Sequence, residues 1–123
     1  MTRILVIDDE RLLRAPVASV LRHAGYEVDC AGSGEEALQL LESARPDLIL
    51  LDLMMPGMGG LGFLRRLRAD ERWAAVPVIV LSAGSDGEQG TEAFKLGARA
   101  CLLKGTFSLA KLSHFIEVLS AAA

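Results

Sequence analysis

The sequence predicts an open, parallel α/β sheet with helices packed on both of its faces. Three observations carry that prediction. Four apolar runs, at residues 3–7, 48–51, 76–81 and 100–103, are too short for ordinary helices and read as buried strands. The segments between them repeat apolar residues at helical spacing. Strand and helix alternate five times with no internal repeat, low-complexity tract or linker, and that alternation is the signature of a parallel sheet.

In chain order, residues 3–7 (Arg-Ile-Leu-Val-Ile) form the first strand and run directly into Asp8, Asp9 and Glu10. Leu12, Leu13, Val17, Val20 and Leu21 form the apolar face of the first helix, which closes at Gly25. Pro16, inside it, removes an amide donor and should kink the helix or make its start irregular. Tyr26 to Ala31 alternates weakly and suggests a short edge strand. Ser33, with Glu36 three residues on, makes a capping box. Ala37, Leu38, Leu40 and Leu41 continue that helix to Ala44, and Arg45-Pro46 ends it.

Leu48 to Leu51 is the central strand. It ends on Asp52, and Pro56-Gly57 then turns the chain, leaving the carboxylate at the rim of the sheet. Leu61, Phe63, Leu64 and Leu67 mark the next helix, closing in residues 68–72 with Trp73 over its end. Val76 to Leu81 stops at Ser82, and Ala100 to Leu103 stops at Lys104. Helices over 87–97 and 108–120 follow, the first ending at Gly97 and the second opening at Ser108.

With 123 residues, 51% of them hydrophobic, the chain suffices for one domain, residues 1–123, and not for two. A net charge of -3 and a pI near 5.3 argue against a nucleic-acid or membrane surface, since either favours a clustered positive field. The start of the chain lacks a signal-peptide pattern, so a cytoplasmic location is expected. Cys30 and Cys101 have no metal-ligand spacing and read as buried small hydrophobes. His23 and His114 read as surface residues on helices, and Met54, Met55 and Met58 as gap-filling core and rim.

Parallel strands bring their carboxyl ends to one edge, where ligands of such sheets bind, so Asp8, Asp9, Asp52, Ser82 and Lys104 should share one cleft. Clustered carboxylates invite a hard cation with oxygen ligands. Mg²⁺ takes one or two carboxylates and leaves room for phosphate. An ammonium and a hydroxyl complete a phosphoryl-transfer site, with Asp52 as the nucleophile that would become an aspartyl phosphate.

With these motifs in this order, Ile-Asp8-Asp9-Glu, Leu-Leu-Asp52-Leu-Met-Met-Pro-Gly, Val-Leu-Ser82-Ala and Gly-Ala-Arg-Ala-Cys-Leu-Leu-Lys104, the chain resembles the receiver domain of two-component response regulators along its whole length, in a single-domain, chemotaxis-regulator-like form. The resemblance implies a flavodoxin-like sheet in strand order 2-1-3-4-5. It implies that Asp52 accepts phosphate from the phosphohistidine of a sensor histidine kinase or a histidine phosphotransfer protein. Mg²⁺ would be held by Asp9, Asp52 and the backbone carbonyl of Met54, with Asp8 acting mainly through water. Lys104 would pair with Asp52 or its phosphate, and the Ser82 hydroxyl would swing to a phosphoryl oxygen, reporting to an output protein through residues 84–103. Slow self-dephosphorylation is part of the same expectation.

Three positions depart from the family pattern: Cys101 where receivers carry an aromatic, Gly105 where a proline follows the lysine, and Gly59 where the turn usually has an acid. The first two leave a rival reading, a pseudo-receiver that binds partners without phosphorylation. A second rival, a Mg²⁺ phosphohydrolase, wants an acid two residues beyond its nucleophile, where this chain has Met54. Gly57-Met-Gly59-Gly-Leu-Gly62 satisfies a dinucleotide fingerprint, but that motif belongs on the first strand-helix turn, and the strand after it ends in Ser82 instead of an acid.

Overall fold

Five parallel strands, β1 (Arg3–Ile7), β2 (Glu27–Ala31), β3 (Leu48–Asp52), β4 (Val78–Ser82) and β5 (Ala100–Leu103), form one sheet in the order β2-β1-β3-β4-β5. Between and after them lie α1 (Arg11–His23), α2 (Gly34–Ser43), α3 (Gly59–Ala69), α4 (Glu88–Lys95) and α5 (Leu109–Ala122). This is the flavodoxin-like arrangement. The computed structural model describes residues 2–82, 84, 87–104 and 109–122. Gly105 and the expected helix start at Ser108 lie outside the described residues.

Alternation along the strands divides the core between the two faces. Leu5, Ile7, Ile49, Leu51, Val78 and Val80 pack with Ala37 and Leu41 of α2, Phe63, Leu64 and Leu67 of α3, and Ala93 of α4. Ile4, Val6, Leu48, Leu50, Ile79 and Leu81 pack with Ala18 and Leu21 of α1 and Leu112 and Ile116 of α5. Every residue of β3 and β4 is buried, as expected of central strands covered on both sides.

The helix ends follow their sequence signals closely. Ser33 Oγ accepts from the Glu36 amide at 3.1 Å, while Glu36 Oε1 reaches back to the Gly32 amide at 3.2 Å, one residue before the cap. Gly25 and Gly97 take φ of +98° and +87° and terminate α1 and α4 in the same way: the Tyr26 amide donates to the Leu21 carbonyl, and the Ala98 amide to that of Ala93. Pro16 stays inside α1.

Some expectations are corrected. Leu12 is 88% exposed and Val20 42%, so neither belongs to the core. At about 100° per residue, Arg14, Ala18 and Leu21 share one stripe and Leu12 falls on the opposite side. Cys101 is exposed and Cys30 half-buried, because β5 is an edge strand whose residues alternate between buried and exposed. β4 starts at Val78, although Val76 is buried ahead of it. Cys30 and Cys101 sit on the two outermost strands, four strand spacings of about 4.8 Å apart, too far for a disulfide.

Candidate functional site

Strand register assembles the site. Ile7 is level with Leu51, so Asp8 leaves the sheet beside Asp52; Asp52 is level with Leu81, and Ser82 with Leu103. Asp8, Asp52, Ser82 and Lys104 therefore meet at the carboxyl edge. Burial there is nearly complete: Asp8 is 2%, Asp52 3% and Ser82 5% exposed.

Carboxylates so deep need donors, and the structure supplies them. Lys104 Nζ lies 2.9 Å from Asp8 Oδ2 and 3.2 Å from Asp52 Oδ2, bridging the two acids. The Met54 amide donates to Asp52 Oδ1 at 3.1 Å and the Glu10 amide to Asp8 Oδ1 at 3.0 Å. Arg14 donates from Nη1 to the Asp8 carbonyl at 2.8 Å, which fixes the backbone at the strand end.

One ammonium does not neutralise two carboxylates. Burial pushes the Asp52 carboxyl up to about 6; the Met54 amide and Lys104 work against the rise, and the charge of Asp8 adds to it. Burial would lower the Lys104 ammonium, yet its hydrogen bond to Asp8 and the charge of Asp52 outweigh that and raise it.

The turn after β3 is built for close approach. A Cβ on Gly60 would come within 2.4 Å of the Asp52 carbonyl oxygen and 2.5 Å of Leu53 Cα, so only glycine lets α3 start this near Asp52. Gly59, the departure from the family's acid, has a φ of +71°, a conformation that suits glycine.

Of the residues expected to act together, the structure joins Asp8, Asp52 and Lys104 directly. Asp9 is exposed at the rim, and its carboxylate lies with those of Asp8 and Glu10, ligand oxygens within 4.8 Å of one another. Glu10 was not among the expected site residues; its signal was its place directly after Asp8-Asp9. Ser82 Oγ accepts from the Gly84 amide at 2.9 Å, and the Ser82 carbonyl accepts from the Lys104 amide at 2.7 Å, so the hydroxyl faces its own loop. The Met54 side chain is exposed, and its amide is the group that meets Asp52.

Residues 4–117 match the family model of the response regulator receiver domain. The chain belongs to that family. The DNA-binding response regulator MtrA of Mycobacterium tuberculosis is 40% identical over 102 residues, covering 83% of this chain and 43% of MtrA. The chain thus spans less than half the length of that relative. Among solved structures, the Vibrio cholerae chemotaxis protein CheY4 superposes with a TM-score of 0.87 at 31% identity, covering 97% of this chain and 98% of that one. The response regulator TrrA of Thermotoga maritima, solved in complex with Mg²⁺-BeF, gives 0.82 at 34% identity, covering 97% and 99%. No helix among the described residues of this receiver is long and apolar enough to cross a membrane.

Proposed function

We propose that residues 1–123 act as one receiver unit in the cytoplasm, taking a phosphoryl group on Asp52 from the phosphohistidine of a sensor histidine kinase or a histidine phosphotransfer protein and passing the signal to an output protein. The observation that carries this reading is the Lys104 bridge between Asp8 and Asp52 at the carboxyl edge. An oxygen of Asp52 bonds to phosphorus as the phosphorus–nitrogen bond of the donor breaks, and the leaving imidazole takes up a proton. Lys104 then faces the new phosphoryl charge, and the Ser82 hydroxyl exchanges the Gly84 amide for a phosphoryl oxygen.

The donor set fits Mg²⁺, being made of oxygens alone with exposed acids at the rim. Asp8, Asp9, Asp52 and the Met54 carbonyl would hold it, with Glu10 an added candidate. Bound there, it would neutralise charge on the transferring phosphoryl oxygens.

The test is intact-mass spectrometry after treatment with phosphoramidate and Mg²⁺. Wild type should gain one phosphoryl group and lose it again slowly, while Asp52→Asn gains none. A wild-type chain that takes up no mass would favour the pseudo-receiver.

A further inference from the structure

The charge at the amino edge of the sheet is not accounted for by phosphoryl transfer. A cleft of about 460 Å³ between the end of α3, residues 74–76 and the turn from α4 into β5 is lined by Arg68, Lys95 and Arg99 and, among the described residues, by no acid. Two other arginines at this edge of the sheet have carboxylate partners: Arg3 has Glu27 and Asp29, and Arg72 has Glu42 and Asp70. Among the described residues Arg68, Lys95 and Arg99 have none, in a protein whose net charge is -3.

Part of this cluster has a structural explanation. Arg68 donates from Nε to the Leu96 carbonyl at 2.8 Å and from Nη1 to the Ala74 and Val76 carbonyls at 3.0 and 2.8 Å, so it staples three segments together and caps the end of α4. Lys95, in the last turn of α4, also suits the negative end of the helix dipole. Arg99 has no part in that capping. It stands beyond the helix at the entry to β5, and its charge acts with burial to lower the Arg68 pKa. A third cation set against a half-buried guanidinium costs stability unless an anion joins them.

We propose that this cleft binds a small soluble anion bearing phosphate. Arg68 has its donors turned into backbone carbonyls, so it supplies fixed positive potential at the floor. Arg99 and Lys95, both exposed, supply the donors that grip the oxygens. Guanidinium and ammonium donors together suit the oxygens of a phosphate ester or a pyrophosphate group. The site lies at the opposite end of the strands from Asp52, whose carboxylates repel anions, so the two can be tested separately.

Pyrophosphate is titrated into ¹⁵N-labelled full chain in EDTA without Mg²⁺, following amide resonances. Shifts at residues 68, 74–76 and 95–99 should saturate with a dissociation constant of about 1 mM or tighter, and the double variant Lys95→Gln/Arg99→Gln should weaken binding about tenfold without disturbing the rest of the spectrum. Arg68 is left intact because its loss threatens the fold. A vesicle arm with phosphatidylglycerol separates the sources: association with vesicles through Lys95 and Arg99, without saturation by pyrophosphate, would overturn a soluble ligand. So would shifts reproduced by sodium chloride at matched ionic strength, or unchanged affinity in the double variant.

Discussion

The two ends of the sheet solve the problem of buried charge in opposite ways. At the amino edge, Arg68 is half-buried with backbone carbonyls around it, and Arg72 pairs with Glu42 and Asp70 while covering the Trp73 ring at 5.1 Å, where Arg45 also stacks at 5.8 Å. These contacts hold segments together. At the carboxyl edge, two nearly buried carboxylates share one ammonium and stay under-neutralised. Arg68 and Arg72 thus spend their charge on holding segments together, while the carboxyl edge keeps an electrostatic deficit for an incoming cation and phosphoryl group.

The largest effect expected is at the turn that sets the distance between α3 and Asp52. Gly60→Ala places a methyl against backbone, which cannot move aside like a side-chain tip, so about 3 kcal/mol or more should be lost in denaturant unfolding. A silent substitution would mean the turn relaxes freely and the carboxyl edge is less rigid than described.

Next comes the cation. At a hundredfold excess over its dissociation constant, Mg²⁺ should stabilise the chain by about 2 to 3 kcal/mol, and Asp9→Ala should abolish the gain. A melting temperature indifferent to millimolar Mg²⁺ in wild type would remove the deficit from the account.

Arg68→Ala should cost on the order of 2 kcal/mol, because it leaves the Leu96 and Val76 carbonyls without their donor, and salt should not change the loss much. Arg72→Ala should cost less, and its effect should shrink at high salt, since its partners are exposed. Equal, salt-insensitive losses would erase the distinction between a carbonyl staple and a surface ion pair.

How far the sequence reveals these two edges differs for physical reasons. Asp8, Asp52, Ser82 and Lys104 are legible because strand ends are marked by short apolar runs, and parallel pairing carries every carboxyl end to one side. Ser33, Gly25 and Gly97 are legible because capping is local chemistry. Arg68 is not, since its partners are carbonyls presented by turns distant in sequence. Leu12 and Cys101 mislead because apolar identity says nothing of the angle around a helix or of a place on an edge strand.

Asp52 is held ionised at a cost to the fold, and thermal unfolding of wild type and Asp52→Asn without Mg²⁺ tests this most directly. The folded carboxyl, raised to about 6 from an ordinary value of 3.8, binds its proton more tightly than the unfolded chain does. Its ionisation therefore costs nothing below about pH 4 and destabilises progressively as pH rises through 6. At pH 7 Asp52→Asn should be the more stable protein, by on the order of 2 to 3 kcal/mol, with the difference vanishing below about pH 4. An asparagine variant no more stable than wild type at pH 7, or an advantage that persists unchanged at low pH, would contradict the claim.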